Sequence, residues 1–292
     1  MQAAITAALG APPQDAGIVA PVTLFSTAGD RIQDRRLLEV GGKGLFTEEI
    51  EAALLDGRID CAVHSLKDMP AEPKGGLVIA ATPEREDLRD AFLSNTFERF
   101  EDLPIGSRLG TASLRRQTQA LYRRPDLQPV LLRGNIDTRL AKLDRGDAEG
   151  IILAYAGLRR LGLQGRARQL FDPLERPTAP GQGALAIETR AQDAHSPWVL
   201  ALDHAPTALC IAAERGALMA LEGSCRTALG AYAVLNDGAL ELVVEALTPD
   251  GGERFRSQGR LEHADRAGAE ALGRALGERV RAEGGERLLL KT

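Results

Sequence analysis

Three groups of side chains in this sequence stand where they could do chemistry. The first lies in His64-Ser65-Leu66-Lys67-Asp68-Met69-Pro70. There a hydroxyl, a cation and a carboxylate follow an apolar run, Ile59 to Val63 broken by Asp60, that reads as a buried strand. Ligands of open α/β sheets bind where strands end at their carboxyl edge. Lys67 and Asp68 occupy such an edge, and Pro70 ends the segment. The second group is a set of arginines. Arg115 and Arg116 open a helix just after a strand, Arg133 ends the next strand, Arg139 opens the following helix and Arg160 follows a third strand. A helix N-terminus attracts anions and disfavours cations, so arginines placed there cost stability unless an anion arrives. Arginine meets carboxylate bidentately, at about 1.5–3 kcal/mol for a charge-assisted bond. The third is a thiol, Cys225, just past a helix in Leu221-Glu222-Gly223-Ser224-Cys225-Arg226. Gly223 can end that helix in a left-handed turn, and an arginine beside a loop cysteine favours thiolate character.

Each group also has a plainer reading. Lys67 and Asp68 could be a loop ion pair or a helix cap, and Cys225 an unreactive loop thiol. The arginines could be a solvated basic face, the reading that suits Arg123, Arg124 and Arg145. Solvated arginines need not gather at one sheet edge, however, and five of them do. The positive charge is concentrated there, with twelve Lys/Arg against five Asp/Glu between Ile105 and Arg166 in a chain of net charge −5. Together the groups describe a cleft between two α/β domains. One wall carries Lys67 and Asp68, the other an arginine array suited to a polycarboxylate, and a thiol comes from a third domain.

The elements that must position these residues can be traced along the chain. Met1 to Leu9 reads as a helix and Ile18 to Ser26 as a strand. Val40-Gly41-Gly42-Lys43-Gly44-Leu45-Phe46 is a glycine-rich turn whose amides could face an anion around Lys43; without a Gly-Lys-Ser/Thr ending it is not a P-loop. Thr47 is placed to cap a helix running to Leu55. Strands are expected at 60–65, 76–81 and 90–94, with a hinge over 82–87. From Pro104 a strand–helix unit repeats three times, which predicts a parallel sheet. A turn at Ala179-Pro180-Gly181-Gln182-Gly183 precedes a strand over 184–188 that could return to the first sheet. From Pro206 come an apolar helix, antiparallel strands over 228–235 and 239–247 joined at Asn236-Asp237-Gly238, a third strand, an Ala-rich helix over 264–283 and a closing strand over 288–290. The fold class is therefore α/β. Domain 1 takes 1–83 and 184–201, domain 2 takes 89–178, and a small α+β domain 3 takes 206–292. Two segments link the first two domains, as in hinged binding clefts.

Composition excludes several classes. Negative net charge and an aromatic content of 4% leave little for general nucleic-acid binding. No apolar stretch is long enough for a transmembrane helix, and the N-terminus lacks a basic leader. Three cysteines without tight spacing make neither a disulfide framework nor a zinc site and point to a reducing cytoplasm. Cys61 and Cys210 read as small buried hydrophobes. His64, His195, His204 and His263 have no metal-ligand spacing, so no metal is expected, and no Ser-His-Asp arrangement is present. His64 reads as a hydrogen-bonded structural histidine.

The segments Val40–Phe46, His64–Pro70, Gly110–Gln117, Leu132–Asn135, Ala156–Leu163 and Leu221–Cys225, in that order, resemble the porphobilinogen deaminase (hydroxymethylbilane synthase) family. The resemblance spans nearly the whole chain from about Asp30. It implies three domains, the first two built like hinged solute-binding proteins. It implies an enzyme that joins four porphobilinogen molecules head to tail with release of ammonia, then releases hydroxymethylbilane with water. A dipyrromethane cofactor, bound through a thioether, is implied at Cys225. Asp68 matches the catalytic aspartate. Loss of ammonia leaves a cationic azafulvene and makes the attacking pyrrole cationic in turn, and a carboxylate bonded to pyrrole N–H groups stabilises both. Lys67, Asp68, Thr111, Ser113, Arg115, Arg116, Arg133 and Arg139 match the cofactor's binders. Ser65, Arg160, Lys43 and Gln182 are carried over to the substrate side. A monomer is expected.

The family opens with a strand and helix resembling Arg-Ile-x-x-Arg-x-Ser-x-Leu-Ala, which carry an arginine and a serine of its site. This sequence shows no such segment. An upstream start codon is the favoured reading, since every later site residue is intact, and the lost strand should leave core and backbone groups uncovered. Two alternatives stand beside the enzyme: an inactive truncated relative, and a non-catalytic carboxylate-binding protein of the hinged solute-binding kind. Cys225 and the missing export leader argue against the latter.

Overall fold

The computed structural model describes residues 1–31, 44–221 and 227–290. In chain order its strands are β1 (Ala62–Ser65), β2 (Leu77–Ala81), β3 (Asp90–Leu93), β4 (Arg108–Gly110), β5 (Gln128–Val130), β6 (Gly150–Ala154), β7 (Gln169–Leu170), β8 (Leu185–Arg190), β9 (Ala228–Asn236), β10 (Ala239–Leu247) and β11 (Arg254–Glu262). Among the described residues they form three sheets, ordered β1-β8-β2, β5-β4-β6-β3-β7 and β11-β10-β9. The described residues fall into two compact units. One holds 1–31, 44–85 and 184–208; the other holds 86–183 and 209–290.

In the first unit β8 lies between β1 and β2 and runs antiparallel to both, with Ala62 opposite Glu188 and Leu77 opposite Arg190. One apolar group joins Leu54 of the Glu48–Leu55 helix to Ala62 and Leu77, and another joins Ala81, Ile187 and Val199. That helix carries Glu48, Glu49 and Glu51 in its first turn, where the dipole favours acids. Thr47 is its N-cap residue but makes no capping bond, and its hydroxyl is buried without a partner, contrary to the expected cap. The strand expected over 18–26 is also absent. Ala16–Val19 is a short helix, residues 20–27 have no regular structure, and Ile18, Val22 and Leu24 are exposed. Apolar residues alone do not make a strand: no described strand pairs with this segment, and Pro21 removes one donor from it.

In the second unit β4 pairs in parallel with β5 and β6. The helices that follow these strands span Leu114–Arg123, Ile136–Asp144 and Tyr155–Arg160. Leu93, Leu132, Leu140, Ile151, Leu153 and Leu158 fill one core beside the sheet. Phe92, Phe100, Leu109, Ile152 and Phe171 fill another. The sheet is mixed rather than wholly parallel, because β3 runs antiparallel to β6 and β7. The crossover rule that aligns strands applies only where a helix links them, and β3 is not followed by one. The C-terminal sheet is a meander whose first hairpin turns at Asp237 (φ 49°) and Gly238 (φ 83°), the left-handed pair that a two-residue turn requires. The Ala205–Ala220 and Arg266–Gly284 helices pack against each other in this unit. A Cβ at Gly277 would sit 2.7 Å from that of Ala220, so glycine sets their approach. Asp265 caps the latter helix by accepting from Gly268 N at 2.7 Å. The closing strand expected over 288–290 is instead a 3-10 turn, Gly285–Leu288, which folds Leu288 into the core. Among the described residues no helix is long and apolar enough to cross a membrane.

Candidate active site

In the first unit β1 delivers the chain to a 3-10 turn, Leu66–Asp68, and Met69 leaves it extended. Two backbone bonds shape this end: Leu66 N donates to Ala184 O and Met69 N to Leu66 O, each at 3.1 Å. Leu66 and Met69 are buried, which anchors the turn and turns Asp68 to the surface, with Ser65 and Lys67 half-buried beside it. An exposed carboxylate on an anchored turn can meet a ligand without giving up a partner in the fold. Behind it His64 Nε2 lies 2.9 Å from Glu188 Oε2 in the buried interior, and Glu188 Oε1 has no hydrogen-bond partner.

In the second unit the anion demanded by arginines at a helix start turns out to belong to the chain itself. Ser113 caps the Leu114–Arg123 helix, its hydroxyl accepting from Arg116 N at 3.4 Å. Arg115 Nη1 donates to Asp90 Oδ2 at 2.7 Å, and Arg116 Nε and Nη2 donate to Oδ1 at 3.0 and 2.8 Å. Gln182 joins them, its Nε2 donating to Asp90 Oδ1 at 2.9 Å and to Leu88 O at 2.6 Å, while its Oε1 accepts from Arg116 Nη2 at 3.2 Å. All four side chains are buried. Burial alone would raise the Asp90 carboxyl, but the two guanidinium groups outweigh it and hold the group far below the usual carboxylate range. Arg115 and Arg116 thus differ from the solvent-facing receptors that the sequence suggests: each already holds a carboxylate. All three of the Arg115 bonds are made by Nη1, and its buried Nε has no hydrogen-bond partner.

The other cations of this unit are set differently. Arg133 and Arg139 are half-buried and Arg160 is exposed. Arg139 Nε donates to Gly134 O at 2.8 Å, and Arg160 Nη2 to Gly183 O at 3.1 Å. Gly134 (φ 116°) breaks the chain after Arg133, and Asn135 then caps the next helix by accepting from Thr138 N at 2.8 Å. Thr111, at the end of β4, is buried, its hydroxyl accepting from Ser113 N at 3.1 Å. Guanidinium groups, two hydroxyls and the unpartnered Arg115 Nε make a set rich in donors, and such groups suit a ligand bearing carboxylates.

Lys43 and Cys225 lie outside the described residues. Cys61 is half-buried just before β1, and burial, with Asp60 beside it, pushes its thiol up, away from reactivity. Cys210 is buried. Among the described residues no group of three or more His, Cys, Asp or Glu is placed to hold a metal ion. Sequence reasoning missed Asp90 and Glu188. Asp90 read as the first residue of a strand; the signal available was a lone acid opening the apolar run Ala91-Phe92-Leu93. Glu188 showed the same sign, a charge amid Leu185-Ala186-Ile187.

Two family models cover the chain. The one described as "Porphobilinogen deaminase, dipyromethane cofactor binding domain" matches residues 2–197, and "Porphobilinogen deaminase, C-terminal domain" matches 208–282. A porphobilinogen deaminase of Caulobacter vibrioides (strain NA1000 / CB15N) is 61% identical over 297 residues, covering 99% of this chain and 92% of its own. One from Caulobacter sp. (strain K31) is 63% identical over 296 residues with the same coverage, 99% and 92%. Among solved structures, a periplasmic substrate-binding protein of an ABC transporter from Coxiella burnetii aligns with a TM-score of 0.37 and 18% identity, over 56% of this chain and 78% of its own. The chain belongs to the porphobilinogen deaminase family.

Proposed function

We propose that this chain joins four porphobilinogen molecules head to tail, releasing ammonia at each joining, and lets water release the product hydroxymethylbilane. This is a transferase reaction of tetrapyrrole biosynthesis. The observation that carries the reading is the identity of 61% and 63% to porphobilinogen deaminases across nearly the full chain. Asp68, exposed on an anchored turn, supports it.

When bound, a dipyrromethane joined to Cys225 supplies the pyrrole carbon to which the first substrate is added. The protein's own groups do the rest. Asp68 accepts hydrogen bonds from pyrrole N–H groups, and its negative charge stabilises the cation that forms as ammonia departs. A fixed carboxylate aimed at developing charge contributes about 3–4 kcal/mol to such a barrier. Lys67, Arg133, Arg139 and Arg160 take acetate and propionate carboxylates, with hydroxyl bonds from Ser65, Thr111 and Ser113. Lys43 serves the substrate side as a further cation, and Gln182 holds the 179–183 turn. Arg115 and Arg116 serve as a guanidinium pair steadied by Asp90. Domain 1 (1–83 and 184–201), domain 2 (89–178) and domain 3 (206–292) divide this work. The protein acts as a monomer in the cytoplasm, a placement supported by its scattered cysteines.

Intact-mass measurement tests the reading. Protein made in a tetrapyrrole-synthesising host should carry the added mass of one dipyrromethane, lost in Cys225→Ala. An unmodified thiol at Cys225 in protein that nonetheless consumes porphobilinogen would refute the covalent assignment.

A further inference from the structure

Gln119 lies one turn beyond Arg115 on the Leu114–Arg123 helix, and one orientation of its amide satisfies its surroundings. Its Oε1 accepts from Arg115 Nη1 at 3.0 Å, while its Nε2 donates to Pro177 O at 2.9 Å and to Glu245 Oε1 at 3.0 Å. Turned over, it would set an N–H pair against the guanidinium and its oxygen against a carboxylate and a carbonyl. Glu245 sits within β10 and is 1% exposed. Its Oε2 has no hydrogen-bond partner, and Arg254 and Arg256 stand off at 3.8 and 3.7 Å. Burial pushes its carboxyl up, against the pull of the Gln119 bond, Arg254, Arg256 and Arg115. A buried carboxylate whose second oxygen meets guanidinium groups only at 3.7 and 3.8 Å, with no hydrogen bond, is costly to keep for packing alone.

Charge gives it a purpose. Arg115 and Arg116 share Asp90, two guanidinium groups on one carboxylate. Glu245 is the second buried acid of this network, and the field of Arg115 reaches it. Asp90, Arg115, Gln119 and Glu245 form one continuous buried chain from β3 to β10. The Pro177 carbonyl braces it at both Arg115 and Gln119.

We propose that Glu245, acting through Gln119, is a positioning residue that fixes the orientation of Arg115 on Asp90 and so ties the guanidinium pair to the C-terminal sheet. The inference rests on the reading of that pair as part of a carboxylate-binding site. It assigns the C-terminal sheet a part in ligand recognition beyond carrying the segment that leads into its first strand.

The test measures porphobilinogen affinity by calorimetry on the full chain carrying Asp68→Asn to block turnover, alone and with Glu245→Leu, Gln119→Leu, both, or Glu245→Gln. Glu245→Leu and Gln119→Leu should each weaken binding about tenfold, the size of one charge-assisted bond, and together no more than either alone. Glu245→Gln, whose carbonyl oxygen can still accept from Gln119, should restore affinity to within about twofold. A second readout needs no ligand. The Arg115 Nε–H resonance, assigned by its loss in Arg115→Lys, should move in both leucine variants and return in Glu245→Gln. An unmoved resonance, or equal affinities with only a lower melting temperature, overturns the proposal, as do additive effects. Should Glu245→Leu not fold, Gln119→Leu against Glu245→Gln makes the same comparison. If porphobilinogen is neither bound by Asp68→Asn nor consumed by the chain with Asp68 intact, the functional reading falls, while the resonance still decides the positioning role.

Discussion

Replacing Asp90 with asparagine keeps the size of the side chain and removes the charge that faces two buried guanidinium groups. Asp90 is 3% exposed, Arg115 5% and Arg116 6%. The carboxylate accepts from both arginines and from Gln182 at 2.7–3.0 Å. Taking one partner from a buried ion pair costs about 3–5 kcal/mol, because the other charge stays buried and uncompensated. Here two charges are stranded, so a loss of at least about 4 kcal/mol at pH 7 is expected, a large part of the ~5–15 kcal/mol that holds a domain together. The pH dependence has a definite sign. The folded carboxyl lies below its unfolded value of about 3.9, so its stabilisation is complete above that value and drains away as pH falls below about 4. Urea unfolding followed by circular dichroism, at pH 7 and in steps from pH 5 to pH 3, reads both effects. The wild type should lose stability steeply below about pH 4, and Asp90→Asn should start lower and slope less there. A loss under about 1 kcal/mol at pH 7, or an unchanged acid limb, would refute the account of Asp90 as the anion that makes this arginine cluster tolerable.

Arg133→Leu should reduce the fraction of protein carrying the dipyrromethane mass or build up partly elongated species, read by intact-mass spectrometry. Unchanged mass profiles would make that arginine a surface charge. Asp68→Asn, at an exposed position, should unfold within about 0.5 kcal/mol of the wild type; a larger loss would mean the carboxylate helps hold its own turn.

Elements governed by local chemistry were legible in the residues. Ser113 caps a helix as its hydroxyl invites, and Asn236-Asp237-Gly238 closes the hairpin that its left-handed residues permit. Gly150–Ala154 is a strand with the boundaries its apolar run suggests. Elements that depend on distant partners were not. Ile18 to Ser26 has the composition of a strand and nothing among the described residues to pair with. Thr47 occupies a cap position yet makes no capping bond. The candidate site divides along the same line. The cost of arginines in a helix's first turn was visible from helix electrostatics, and it implied an anion. That the anion is Asp90, 25 residues upstream of Arg115, was not visible, because nothing local marks a strand residue as the partner of a helix formed later in the chain. Glu245 is further still, 126 residues from the Gln119 it meets. His64 is the opposite case: a histidine inside an apolar strand needs a polar partner, and Glu188 supplies it.

The most direct test of the account is porphobilinogen turnover by Asp68→Asn compared with the wild type, on protein whose mass shows the bound dipyrromethane. The exposed carboxylate at the end of β1 is assigned the charge that forms as ammonia leaves, so kcat should fall by about a hundredfold or more, with the fold and the thioether intact. Turnover close to the wild-type rate in cofactor-loaded Asp68→Asn would contradict it.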